Sequence, residues 1–424
     1  MTDTLAAVVV GAGSAGLATS YELAARGLPH VVIERGRIGE TWRTQRWDSF
    51  RLNTPGWANA LPGLPFPGDP DGFDTAAALV GYFEDYRRRF ALPVREGITV
   101  RAVVPFAGRF RIETDGGDYE APSVVVASGN LNRPSLPSAA ARLHRSIVQL
   151  HASAYTRPDA LPAGRVLVVG GAQTGCQIAE DLIEAGRQVL LAAGRAPRVP
   201  RRYRGRDIFE WLRRSGFFAQ HASALTDPAM LTIPQPQVSG VNGGKTVSYQ
   251  DLARRGVRLL GRLQDVQGTW ATFEGDLRAH LRFADEMSAR LRDMVDAFID
   301  REAIDAPAPD VDPLDAPAEY DAFPELPETI DLEAEGVTSV IWCTGFRGEF
   351  GWLPAEALQD GRPNTRTASP ASPACTSSVS TGSSAATPAS SSASPRMPPA
   401  LPAPWRLAPS PDPRPRSDPT PGAA

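Results

Sequence analysis

The sequence has few cysteines: Cys176, Cys343 and Cys375, odd in number and far apart. Such a set builds neither a disulfide framework nor a zinc site, and it suits a reducing compartment. Excess charge is also lacking. The net charge of -4 argues against a general nucleic-acid binder. No apolar run approaches the roughly 18 residues of a membrane-spanning helix. The opening stretch, MTDTLAAVVVGAGSAGLA, has no basic lead and is interrupted by glycines, so it does not read as a secretory signal. A cytoplasmic protein without a membrane partner is expected. With 42% apolar and 22% charged residues, most of the chain should be globular, and 424 residues give room for roughly two to four domains.

A repeated glycine grammar is present. Leu5 to Val10 reads as a buried parallel strand, followed by Gly11-Ala-Gly13-Ser14-Ala15-Gly16 and a helix that Gly27 ends. Val31 to Ile33 is the next strand, closed by Glu34 and Arg35. In such a unit Gly11 allows the tight turn, Gly13 lets a pyrophosphate approach the backbone, and Gly16 lets helix and strand pack closely. The helix N-terminus offers its unpaired N–H groups and positive dipole end to the phosphates. Glu34, 18 residues past Gly16, is placed to accept hydrogen bonds from ribose hydroxyls.

The pattern recurs about 160 residues later. Val166 to Val169 precede Gly170-Gly171-Ala172-Gln173-Thr174-Gly175, then a helix ended by Gly186 and a strand at Val189 to Leu191. Ala172 stands where the middle glycine would be, and its methyl group would crowd a pyrophosphate without excluding it. This second strand ends in Arg195 with no acid, and a guanidinium pairs with a 2′-phosphate that a carboxylate would repel. NADPH is therefore favoured over NADH here. Arg198, Arg201, Arg202, Arg204 and Arg206 follow, either adding to that phosphate site or bridging loops. Each unit is trailed by an apolar strand with a small-residue turn: Val124 to Ala127-Ser128-Gly129, and Val340 to Thr344-Gly345. Between Gly275 and Arg301, three-to-four spacing predicts a helix packed on its domain's core. Ala306 to Glu328 reads as a loop.

On these paired motifs, together with Gly39-Glu-Thr41-Trp42-Arg43 and Cys343-Thr-Gly-Phe346, the chain resembles the flavin-containing monooxygenase-like superfamily over about residues 5 to 363. The resemblance implies an α/β fold of two Rossmann-like dinucleotide-binding domains, with the NADPH domain inserted into the FAD domain. It implies boundaries of 1–140 for the first part of the FAD domain, 141–329 for the NADPH domain with a helical insert, and 330–363 for the return segment. It implies that Thr41, Trp42 and Arg43 run past the flavin. It gives Asn53 the part of an active-site amide facing the flavin or nicotinamide. The implied chemistry is NADPH reduction of FAD and oxygen transfer through a flavin hydroperoxide, with a small-molecule substrate and dioxygen as partners. A homo-oligomer is left open. His151 and Tyr155 match the end of the family's interdomain fingerprint, but Arg145 and Ile147 stand at its Phe and Gly positions. An NAD(P)H oxidase or flavin reductase without oxygenation therefore stays as an alternative, and the composition of the chain's last section keeps an inactive nucleotide-binding protein as another.

After Pro363 the composition changes. Residues 364–424 are dominated by Ser, Pro, Ala and Thr, which by composition is a disordered tail. Read one frame over with suitable third bases, Pro373 to Pro399 spell PGLYFVGLDWLLRRNSGFLLGVAEDAA, an apolar strand, a glycine turn and an amphipathic ending. We therefore expect a frameshifted C-terminus.

Overall fold

The computed structural model describes residues 4–219, 234–309 and 311–364, together with the backbone of Cys375–Ser377. The fold grows from β1 (Ala7–Val10), whose four residues are all buried. Fully burying each valine contributes roughly 1.5–3 kcal/mol. Helix α1 (Ser14–Ala25) leaves directly from the glycine turn and ends as the Gly27 N–H reaches the Ala24 carbonyl at 2.9 Å. Strand β2 (His30–Ile33) then pairs parallel with β1. The short helix α2 (Glu40–Thr44), the longer α3 (Ala76–Arg89) and β3 (Val94–Arg95) follow. An antiparallel sheet of β4 (Val100–Phe106), β5 (Arg109–Thr114) and β6 (Tyr119–Ala121) precedes β7 (Val124–Val126), which returns beside β1. The parallel sheet runs Cys375–Ser377, β7, β1, β2, β3.

The second parallel sheet has the order 258–260, 189–192, 165–169, 337–342, 148–151. Its first strand, Arg165–Val169, feeds α4 (Gln173–Glu184). Helices α5 (Ile208–Arg214) and α6 (Tyr249–Arg254) lie in the chain beyond it. The long α7 (Leu277–Arg301) buries Leu277, Leu281, Ala284, Met287, Leu291 and Phe298, the spacing expected from the sequence. It also buries Asp285 and Ser288. Arg198, 1% exposed, explains both: its Nε donates to Asp315 Oδ1 at 2.7 Å and its Nη1 to Asp285, and Ser288 donates to Asp315 at 2.6 Å.

Two parallel sheets, each with its own glycine turn, make the two-domain α/β fold. One boundary differs from the expectation. Val337–Trp342, expected to rejoin the first domain from 330 on, pairs with Arg165–Val169 and with Val148–His151 in the second sheet. It is the apolar return strand of the second unit, as Val124–Val126 is of the first, and such a strand packs beside its own unit's first strand. The chain returns to the first domain after it, where Phe350 and Leu353 pack with Val8, Val10, Val124 and Val126. The expected tail falls outside the described residues except at Asn364 and in the backbone of Cys375–Ser377, which pairs parallel with β7. No described helix is long and apolar enough to cross a membrane.

Candidate dinucleotide sites

At the first turn, Gly11 has φ +108°, and a Cβ there would lie 2.5 Å from the Ala127 carbonyl oxygen. A Cβ on Gly16 would lie 1.8 Å from the Gly11 carbonyl oxygen. These two glycines are forced by the protein's own packing. Gly13 is not: a Cβ there would meet nothing within 4 Å, so the space above it is open for a ligand. Ser14 and Ala15 start α1, which Gly13 caps with no side chain occupying its first N–H groups. Glu34 accepts from the Ala12 N–H at 2.8 Å and the Gly36 N–H at 2.9 Å, one on each oxygen. Each oxygen keeps a lone pair for a ribose hydroxyl. Beside the turn, Ala127 N–H donates to Val10 at 2.9 Å, Gly129 has φ +69°, and the buried Ser128 hydroxyl has no partner among the described residues. A buried unpaired hydroxyl next to an open cradle is what a phosphate- or flavin-bearing ligand would satisfy.

The residues expected to run past the flavin are more engaged. Gly39 (φ +68°) caps α2 and brings Thr41, Trp42 and Arg43 close to the turn, with the Gly39 N–H 3.4 Å from the Ala12 carbonyl. The Trp42 ring carries the Arg46 guanidinium 4.4 Å above its centroid. Burial lowers the Arg46 pKa to about 10. Arg43 donates to the Ile38 carbonyl at 3.0 Å and pairs with Glu84, and Arg35 pairs with Glu349 at 3.4 Å.

The second turn repeats the first. Gly170 has φ +102° and a Cβ there would lie 2.5 Å from the Cys343 carbonyl oxygen; on Gly175 it would lie 1.7 Å from the Gly170 oxygen. Ala172 takes the N-cap place of α4 at φ -72°, where its methyl group needs no strained backbone. Two supports lacked any sequence signal. The Tyr249 hydroxyl lies 2.8 Å from the Gly171 carbonyl oxygen and 2.7 Å from that of Gly194, and Gln237 donates to Gly171 at 2.9 Å. A Cβ on Gly171 would lie 2.3 Å from that hydroxyl. Gln173 donates to Pro236 at 3.3 Å, and Thr174 stands beside it in the first turn of α4. Arg195 is exposed, stacks 4.2 Å over Phe283 and has no acid partner among the described residues. Three other arginines of the run are paired with acids, Arg198 with Asp285 and Asp315, Arg201 with Asp207 and Arg204 with Asp296, while Arg202 and Arg206 are exposed. Burial lowers Arg201 to about 10 against the opposing pull of Asp207.

At the seam between domains, His151 ties the linker to the second return turn. The Ser153 N–H donates to His151 Nδ1 at 3.1 Å, so the hydrogen sits on Nε2, which donates to the Gly345 carbonyl at 2.9 Å. Thr344 donates to the Ser135 carbonyl, and Gly345 has φ +82°. Ile147 is buried in the second domain's core at 4% exposure, which accounts for an apolar residue at that fingerprint position. Asn53 bonds to Gln177 of α4 at 2.8 Å. The Cys176 thiol donates to the Gly171 carbonyl at 3.1 Å, and burial pushes the Cys176 and Cys343 thiols up. Neither is poised as a thiolate nucleophile.

A family profile for pyridine nucleotide-disulphide oxidoreductases matches residues 8–205. An uncharacterized CzcO-like oxidoreductase of Geobacillus kaustophilus is 36% identical over 219 residues, 51% of this chain and 62% of that protein. Indole-3-pyruvate monooxygenase YUCCA1 of Oryza sativa is 34% identical over 184 residues, 42% of this chain and 45% of that protein. The chain thus spans less than two thirds of the length of these relatives. A solved flavin-containing monooxygenase from Stenotrophomonas maltophilia superposes with TM-score 0.53 at 20% identity, covering 86% of this chain and 85% of its own, a likeness of fold.

Proposed function

We propose that this chain, which belongs to the flavin-containing monooxygenase-like superfamily of flavoproteins, is an FAD-dependent oxidoreductase that consumes NADPH and oxygenates a small nucleophilic or carbonyl substrate. The observation that carries this reading is the pair of separately built turns, each forced into a glycine cradle by its own return strand. One dinucleotide site would serve many enzymes; two in one chain suit transfer of electrons between two nucleotides. When bound, FAD supplies the redox chemistry, taking electrons from NADPH and, once reduced, activating dioxygen.

The chain's own residues hold and orient. The N-terminus of α1 and the open space over Gly13 receive the FAD pyrophosphate, and Glu34 and Ser128 accept and donate around the ribose and flavin. Gly170 to Gly175 receive the NADPH pyrophosphate, and Arg195, over the Phe283 ring, meets the 2′-phosphate. Asn53 supplies an amide at the seam. The Cys176 and Cys343 thiols, whose pKa burial raises, are not poised for thiol–disulfide exchange, which speaks against a dithiol reductase.

The test is a substrate screen with NADPH consumption, organic product and hydrogen peroxide measured together. Organic product stoichiometric with NADPH supports oxygenation. Hydrogen peroxide alone supports the second reading, an NAD(P)H oxidase, which the altered fingerprint at Arg145 and Ile147 favours. No NADPH consumption at saturating FAD would contradict both and leave a nucleotide-binding protein.

A further inference from the structure

Asn53 belongs to the first domain, yet the groups that hold it come from the second. Gln177 of α4, two residues past Gly175, is 7% exposed and lines a small cleft with Trp47, Phe50, Arg51, Glu180 and Ser239. Its Nε2 donates to the Val238 carbonyl oxygen at 2.7 Å and to Asn53 Oδ1 at 2.8 Å. A backbone carbonyl only accepts, so the end of the Gln177 amide turned to Val238 must be the NH2 group. The second N–H of the same nitrogen then needs an acceptor, which fixes Asn53 Oδ1 toward Gln177. Asn53 Nδ2 is left as the outward group, with no hydrogen-bond partner among the described residues. The backbone is gripped as well: Arg201 Nη1 donates to the Asn53 carbonyl oxygen at 2.7 Å, and a Cβ on Gly240 would lie 1.9 Å from the Leu52 carbonyl oxygen.

We propose that Gln177 is a positioning residue acting through Asn53: it turns the Asn53 amide so that a donor faces the seam, and it ties that donor to the helix carrying the nicotinamide-nucleotide turn. Asn53 then meets an acceptor, a carbonyl or carboxylate oxygen of cofactor or substrate. The orientation stands on the hydrogen bonds alone; what the donor meets rests on the oxidoreductase reading.

Gln177→Glu keeps at most one donor, the proton of a neutral acid, for the Val238 carbonyl oxygen that only accepts, and presents its remaining lone pairs to Asn53, so the Asn53 amide turns over and gives up its outward donor. Gln177→Ala only frees it. At saturating FAD without oxygen, Gln177→Glu should slow flavin reduction by saturating NADPH about tenfold or more, with KM within about twofold and Gln177→Ala in between. In an Asn53→Ala background the same substitutions should change the rate by less than about twofold. Asn53 side-chain amide resonances, in chain labelled at asparagine nitrogen, should shift in Gln177→Glu, and this is read without turnover. Unmoved amide resonances, or equal effects with and without Asn53, would overturn the proposal. If the parent chain reduces no flavin, the functional reading fails while the resonances still decide the orientation.

Discussion

Gly13 and Gly16 differ in a way the motif alone does not state. A methyl group at Gly16 strikes the protein, whereas one at Gly13 meets only open space. Gly16→Ala should therefore destabilise the chain without ligand, by roughly 1–3 kcal/mol from overpacking. Gly13→Ala should leave that melting temperature unchanged and weaken FAD binding, read by quenching of flavin fluorescence. A Gly13→Ala chain that binds FAD as tightly as the parent would remove the pyrophosphate from that turn. Glu34→Ala should weaken FAD binding by roughly 1–3 kcal/mol through lost charge-assisted hydrogen bonds. At this scale the sequence was informative where backbone geometry restricts residue type, as at Gly11, Gly16, Gly170 and Gly175. It was silent on Tyr249, Gln237 and Gln177, which meet their partners from 55 or more residues away. A lone Tyr or Gln carries no local pattern.

The linker and α7 show how elements are coupled. Burial lowers the pKa of His151 below its ordinary 6.5, and that of His280 likewise. Each folded-state imidazole binds its proton less readily than the unfolded one, so stability is greatest above pH 6.5 and falls as pH drops from there toward the depressed pKa. Melting temperature should fall on acidification through that window, and His151→Gln should flatten the fall. An unflattened fall would assign it elsewhere. In the second domain, Asp285→Ala leaves the buried Arg198 short of a partner and should cost about 3–5 kcal/mol in denaturant unfolding. The periodicity of α7 was readable because its apolar face is regular. Its buried Asp285 and Ser288 were not, because Arg198, the partner of Asp285, looked like one more member of a basic run and Asp315, the partner of Ser288 and of Arg198, lies in the distant stretch read as a loop. The place of Val337–Trp342 was misjudged for a similar reason: an apolar strand does not say which of two like sheets it will join.

For the whole molecule, the duplication of the glycine unit made the two-domain fold legible from the chain alone. The C-terminal segment was legible only as a departure in composition. The backbone of Cys375–Ser377 occupies the edge beside β7, and with suitable third bases the other frame writes Leu-Tyr-Phe at those three places. A chain with residues 373–399 restored to that frame should retain FAD through gel filtration better than the chain as written and melt higher. Equal retention would mean the written tail suffices. The most direct test of the central claim, two coupled dinucleotide sites, is rapid anaerobic mixing of the FAD-saturated chain with NADPH or NADH, for the parent and for Arg195→Ala. The account predicts loss of the flavin's visible absorption in the parent, with a KM for NADPH that rises about tenfold in Arg195→Ala, about 1.4 kcal/mol, while that for NADH stays within about twofold. No reduction by either nucleotide would contradict it.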